Sequence, residues 1–400
     1  MPPAPSFGQI GGSVSVLATW TGAEQDAFLA MVKPFTDETG ITINYTGTRD
    51  LATQLTTGIA GGNTPDVAGL PGPGQMVTWA KSGDLKPLDF LDLDAYRTSA
   101  PAGFADLGEV DGKMVGIFTK ATVKGLIWYN TKVHTAGAPA DWAALTALSP
   151  APAEKLWCVG FESGGDSGWP GTDWIEDIVL RQSGPDIYDQ WRDGTLKWSS
   201  PEIKAAFTEF GKVVENSFGG SNFIVGTAFG AGANPMFTTP PGCLFHHQAS
   251  FITSFFKEQG GAADGDFDFF VMPDINPMYT GAITGGGDLF GMFNDTPQAR
   301  ALIQWLVTPQ AQEIWAKIGG GYLAANKFVD PSVYPDDASR KSAQAFVNAG
   351  TFRYDAGDLM PTPMSRAFFS AMVEFAQNPG NVDSILANLD SVQADAYSGS

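Results

Sequence analysis

The first seventy positions switch between a two-residue and a helical period. Residues 14–20 are β-rich and loosely alternating, which predicts a strand. Over 24–39 the apolar residues Phe28, Met31, Val32 and Phe35 recur at helical spacing, and Gly40 marks the stop. A second strand is predicted over 41–45, a helix over 51–59, a loop at 61–65 and a third strand over 66–70. Strand–helix–strand–helix–strand at this pitch is a βαβαβ unit, so the fold class is α/β with a largely parallel sheet. Such sheets bind ligands at the carboxyl ends of their strands, here Trp20, Thr48-Arg49-Asp50 and residues 69–73.

Further on, residues 114–118 run into 120–130 as one extended stretch, too long for one strand of one sheet, which suits a passage between lobes. Helical periodicity returns near 173–182, 203–216, 298–317 (interrupted by Pro309), 365–376 and 382–397. Four hundred residues exceed the ~250–300 at which a single core stops growing, so two domains are expected.

Composition narrows the partners. Hydrophobic residues make up 43%, which excludes wholesale disorder. Against 23 Lys and Arg stand 43 Asp and Glu, a net charge of −20, which disfavours nucleic acid and anionic membrane surfaces. No apolar run reaches the ~18 residues of a membrane helix. Residues 1–6 have neither a charged nor an apolar signal region, so the chain is either cytoplasmic or has lost its signal segment; residues 1–13 read as a Pro/Gly/Ser-rich tether. The two cysteines, Cys158 and Cys243, lie outside any Cys-x-x-Cys pattern. They are either buried thiols or one disulfide, and the favoured disulfide implies export.

Candidate catalytic motifs fail on chemistry. Gly165-Asp166-Ser167-Gly168 imitates a serine-protease nucleophile, yet none of His134, His246 and His247 has a suitable setting. Asp264-Gly265-Asp266-Phe267-Asp268 begins like a calcium loop, but Phe269 replaces the turn glycine and Ile275 the closing glutamate. His246 and His247 are adjacent, so on a strand they point apart and cannot chelate one metal. No Walker loop is present. No metal and no cofactor are expected.

Recognition is better supported. In Trp169-Pro170-Gly171-Thr172-Asp173-Trp174 two indoles flank a carboxylate in a loop that opens a helix. An indole covers the apolar face of a sugar, and a carboxylate accepts its hydroxyl protons in charge-assisted bonds. Both tryptophans have core placement as the alternative. Gly285-Gly286-Gly287-Asp288-Leu289-Phe290 permits close backbone approach, a bend between lobes or a flexible turn.

Trp20-Thr21-Gly22-Ala23-Glu24, Gly61-Gly62-Asn63-Thr64-Pro65-Asp66-Val67 and Trp128-Tyr129-Asn130 resemble the carbohydrate-binding family of ABC-transporter solute-binding proteins. Residues 168–177 and Phe352-Arg353-Tyr354-Asp355 are similar to its α-glucoside branch. The resemblance implies a two-lobed periplasmic-binding-protein fold with three crossovers forming a hinge, and no enzymatic activity. Lobe one is then expected over 1–119 and 286–323, lobe two over 120–283 and 327–400, with the hinge near 118–121, 283–287 and 323–327. The expected ligand contacts are Trp20, Arg49, Asp66, Lys120, Trp169, Thr172, Asp173, Asp288 and Arg353, followed by Gly69, Lys124, Trp174, Gly287 and Phe290. The implied partners are a small carbohydrate and the permease subunits of an importer, and the chain is expected to be an extracytoplasmic monomer. Near-relatives are often lipoproteins, although this chain lacks an N-terminal cysteine. Arg49, Lys120, Lys124 and Arg353 in so acidic a protein hint at an anionic glucoside such as glucosylglycerate or a sulfonated sugar. The competing readings are a secreted glycoside hydrolase with its acids in a cleft, and a lectin-like module.

Overall fold

The early periodicity does build a parallel sheet. In the computed structural model, which describes residues 5–101 and 103–398, the strands in chain order are β1 (Ser13–Ala18), β2 (Thr42–Gly47), β3 (Val67–Leu70), β4 (Glu109–Val110), β5 (Lys113–Met114), β6 (Gly116–Val123) and β7 (Leu126–Asn130). They continue as β8 (Lys155–Cys158), β9 (Cys243–Gln248), β10 (Phe267–Val271), β11 (Ala282–Met292), β12 (Leu323–Ala324) and β13 (Thr351–Tyr354). The chain divides into two compact units. One holds the chain up to Thr122 with Gly286–Arg340; the other holds Val123–Gly285 and the chain from Lys341 onward.

The first unit is organised by a sheet of order β12-β6-β11-β3-β1-β2. Strand β1 lies parallel to both β2 and β3, while β11 enters antiparallel to β3, pairing Leu289 with Leu70. Phe28, Met31, Val32 and Phe35 make one apolar stripe of the helix Ala23–Thr39 and are all buried. Gly40 ends that helix in the left-handed conformation at φ 68°, which costs glycine no Cβ clash. Residues expected to be a tether are instead tied to it: Phe7 packs edge-on to Phe35 at 5.4 Å, and Ile10 N–H donates to Thr39 O.

The second unit has a sheet of order β10-β7-β9-β8. Its core gathers Trp142, Trp157, Trp174, Trp191 and Trp198 with aliphatic and Phe side chains of the helices Trp169–Ser183, Pro201–Glu215 and Thr362–Gln377. The Cys158–Cys243 disulfide lies within it, joining the end of β8 to the start of its parallel neighbour β9.

Two local expectations hold and one changes. The extended stretch serves two sheets, breaking at Lys124-Gly125 between β6 and β7, with Gly125 at φ 70°. Of the readings of the glycine run 285–287, close backbone approach is the one observed: it lies inside β11, and a Cβ on Gly287 would fall 2.4 Å from Lys120 O. The third division falls after Arg340 instead of near 323–327. The reason is that β12 pairs with β6, Leu323 opposite Ala121, and Tyr334 O–H accepts from Ala324 N–H, which holds this segment in the first unit.

Candidate functional site

Each unit carries its own buried group of charges and indoles. In the first, Glu24 sits in the opening turn of the helix Ala23–Thr39, just beyond the carboxyl end of β1. Its two oxygens accept from Lys120 Nζ and Arg49 Nη2, both at 2.8 Å. Lys120 Nζ lies 3.4 Å from Asp288 Oδ2, to which Trp20 Nε1 donates at 3.0 Å. The ammonium stands 5.6 Å from the Trp20 ring and 5.5 Å from the Trp315 ring, and those two indoles meet edge to face at 4.7 Å. Burial pushes the Glu24 carboxyl up, but Lys120 and Arg49 outweigh it and hold the group below the ordinary glutamate value. Burial likewise works against the Lys120 charge, and Glu24 with Asp288 overcomes it and raises that group. For Asp288, burial prevails over Lys120 and raises the carboxyl.

In the second unit the helix Trp169–Ser183 begins at Trp169 itself, so the expected loop is its first turn. Asp173, Glu176 and Asp177 then fall at i, i+3 and i+4 on one face, all buried. Lys124 Nζ donates to Asp173 Oδ1 at 2.9 Å and pairs with Asp355 Oδ2. Glu176 Oε1 accepts from Gly357 N–H at 3.0 Å. Asp173 Oδ2 and Glu176 Oε2 are buried with no hydrogen-bond partner. Burial pushes the Asp173 carboxyl up to about 8, with Lys124 pulling it back and Asp355 adding to the rise. Burial and then Asp355 carry Glu176 well above the usual range. Burial opposes the Lys124 charge, yet Asp173 and Asp355 raise it well above the ordinary lysine value. The three carboxylates offer oxygens within 4.8 Å of one another, a hard donor set, but two of them already hold the Lys124 ammonium as their cation.

Beside this group lies an aromatic platform. Trp169 is half-buried, with Lys124 Nζ 5.9 Å from its ring and Phe229 and Phe251 at 5.1 and 6.0 Å. Behind it, Asp177 is held by Arg181, by His247 Nε2 at 2.6 Å and by Thr284 Oγ1 at 2.6 Å. Burial raises Asp177, and the Arg181 charge with the His247 bond more than reverses this, bringing it to about 2.

Other expected site residues lie elsewhere. Trp174 is core, stacked on His247 at 4.2 Å. Phe290 is buried against Phe28 and Trp20. A Cβ on Gly69 would meet Ala18 and Phe290 at 3.0 Å, so that glycine serves sheet packing. Asp66 precedes β3, at the amino end of the strand, where it accepts from Ser15 N and Oγ at 2.8 and 2.9 Å. Thr172 Oγ1 donates back to Trp169 O, one turn earlier. Arg353 pairs with Asp189 at 2.8 Å, whereas Asp355, two residues on, joins the Lys124 group. Sequence reasoning missed Glu24, Trp315, Glu176 and Asp355 as members of these groups. The spacing of Asp173, Glu176 and Asp177 was the one available signal. All four expected cations meet a carboxylate, Arg49 and Lys120 sharing Glu24.

Comparison with known proteins adds four findings. Residues 30–344 match the family described as bacterial extracellular solute-binding protein. The chain is 35% identical over 373 residues to the osmoprotective compounds-binding protein GgtB of Synechocystis sp., covering 90% of this chain and 88% of the relative. It is 34% identical over 395 residues to the alpha-glucosides-binding periplasmic protein AglE of Rhizobium meliloti, covering 93% and 85%. In structure it resembles the bacterial solute receptor AcbH, which prefers β-D-galactopyranose, with a TM-score of 0.84 at 18% identity over 97% of this chain and 100% of the receptor. Among the described residues no helix is long and apolar enough to cross a membrane.

Proposed function

This chain belongs to the bacterial extracellular solute-binding protein family, and we propose that it captures a small, uncharged α-glucoside outside the cytoplasm, as a monomer, and delivers it unaltered to the permease of an ABC importer. The relatives that bind alpha-glucosides and osmoprotective compounds support the ligand class. The observation that carries the reading is the half-buried Trp169 indole beside the Lys124–Asp173–Asp355 group. A desolvated sugar needs its hydroxyls paired and its apolar face covered, and this arrangement supplies both.

A hydrolase reading has less support, because the relatives are named as binding proteins. A thermal-shift panel pairing neutral with anionic α-glucosides tests the reading. A neutral ligand at 100-fold excess over its Kd should stabilise the protein by about 2.7 kcal/mol. Stabilisation by the anionic members alone, or release of the aglycone from a chromogenic α-glucoside, overturns it.

A further inference from the structure

The buried group in the second unit is two positive charges short. Three carboxyl groups, those of Asp173, Glu176 and Asp355, gather within 4.8 Å, each at most 3% exposed. One ammonium serves them, and it contacts only Asp173 and Asp355. The neighbouring Asp177 adds no free cation, because Arg181 and His247 are already engaged with it. The remaining charged or titratable groups acting on Glu176 and its partners are Asp358, which is acidic, and Tyr188, whose O–H lies against the Tyr354 and Ala356 backbone. Three buried carboxylates around one ammonium would leave uncompensated negative charge in a dry interior, which is costly enough that such groups take up a proton instead.

We propose that Glu176 is the proton carrier: a neutral acid in the folded protein, acting as a positioning residue that lets one lysine bridge Asp173 and Asp355. Contact geometry selects it from the three. Asp173 and Asp355 both touch Lys124, and Asp355 Oδ1 also accepts from Asp358 N–H at 2.7 Å. Glu176 has a single bond, from the Gly357 N–H to Oε1, and no ion pair among the described residues holds it; Asp173 Oδ2 is as unpartnered as Glu176 Oε2, but Asp173 meets Lys124 through Oδ1. Burial and the adjacent Asp355 charge push the same group upward. The arrangement orders three distant segments, the crossover at Lys124, the helix carrying Asp173 and the turn after β13, with charge left only where Lys124 can meet it.

This inference rests on the glycoside reading only for its effect on binding, and the test is chosen to need no ligand. Glu176→Gln keeps the shape and neutrality of the acid and removes the titration. Infrared spectra of the intact protein near neutral pH should contain the C=O band of a buried protonated carboxyl, which loses intensity in Glu176→Gln. The wild-type melting temperature should fall as pH rises above the ordinary glutamate value of about 4.5, because the folded acid holds its proton more tightly than the unfolded chain, whereas Glu176→Gln should melt at least as high as the wild type near pH 7 and show a shallower fall. Asp173→Asn should melt lower than either, because it strips Lys124 of a charged partner. A protonated-carboxyl band of undiminished intensity in Glu176→Gln overturns the assignment. So does a Glu176→Gln protein that melts as low as Glu176→Ala near pH 7, or that fails to fold, since either means an ionised carboxylate was needed there. If the glycoside panel fails, these readouts still decide the proton's location.

Discussion

Gly125 has no side chain because Asp177 stands where one would go. A Cβ built on Gly125 falls 2.7 Å from Asp177 Oδ1 and 2.8 Å from Arg181 Nη2, and the residue already holds a left-handed φ of 70°. The turn between β6 and β7 and the Asp177–Arg181 ion pair therefore require each other. Gly125→Ala should destabilise the protein by about 2–4 kcal/mol, combining backbone strain with displacement of a buried pair. The control is Gly62→Ala, at φ 67° with nothing within 4 Å, where strain alone should cost about 1 kcal/mol. Urea denaturation of both variants checks the difference.

The two tryptophans of the 169–174 block should separate binding from stability. Trp169→Ala removes a half-buried indole and should weaken glycoside binding about ten- to a hundredfold with little loss of stability. Trp174→Ala excavates the core beside His247 and should cost about 3–5 kcal/mol of stability. Calorimetry and chemical denaturation on the same pair of proteins decide whether the indoles divide in this way.

Asp173→Ala should reduce glycoside affinity by about ten- to a hundredfold, through a lost charge-assisted bond of about 1.5–3 kcal/mol. Since Asp173 also accepts from Lys124 at 2.9 Å, the variant should lose stability too. Wild-type affinity in this variant would remove the Lys124 group from the binding site.

Arg353→Ala is expected to bind as the wild type does. Its partner is Asp189, and both side chains are partly exposed, at 28% and 30%. An ion pair of that kind contributes about 0–1 kcal/mol. A tenfold loss of affinity on titration would return this arginine to the site.

Acid should weaken the fold through His246. Its Nδ1 faces Cys158 O at 2.9 Å, and burial lowers the group from its ordinary value to about 4. The unfolded chain therefore binds this proton more tightly than the folded one. Stability is full above the unfolded value near 6.5 and falls with pH down to about 4. The depressed Asp177, at about 2, acts in a lower window, contributing above the ordinary aspartate value and fading as pH drops towards 2. Denaturation midpoints between about pH 7 and pH 4 should decline less in His246→Asn than in the wild type.

Much of the architecture is legible in the amino-acid order, because the order encodes periodicity. The strands near 14–20, 41–45 and 66–70 and the helices between them depend on which residues recur on one side of a local element. The observed β1, β2 and β3 follow that pattern within a few residues. The Pro309 interruption is equally local, since a proline suits the first turn of a new helix, and Pro309–Ile318 begins there. The Trp169–Asp177 block directed attention to the right helix for the same reason.

Partnership was the part that only the tertiary structure decided. Arg353 and Asp355 are two residues apart, yet one pairs with Asp189 and the other with Lys124, 231 positions away in the chain. Trp169 and Trp174 are alike in sequence, and helical phase alone leaves one on an aromatic platform and buries the other on His247. Glu24 and Glu176 look like two acids among 43, and become distinctive only through the cations that reach Glu24 and do not reach Glu176. Periodicity is a property of neighbours along the chain, whereas charge balance is a property of neighbours in space. The first can be read from residue order, and the second exists only once burial has removed water and left each charge to the groups around it.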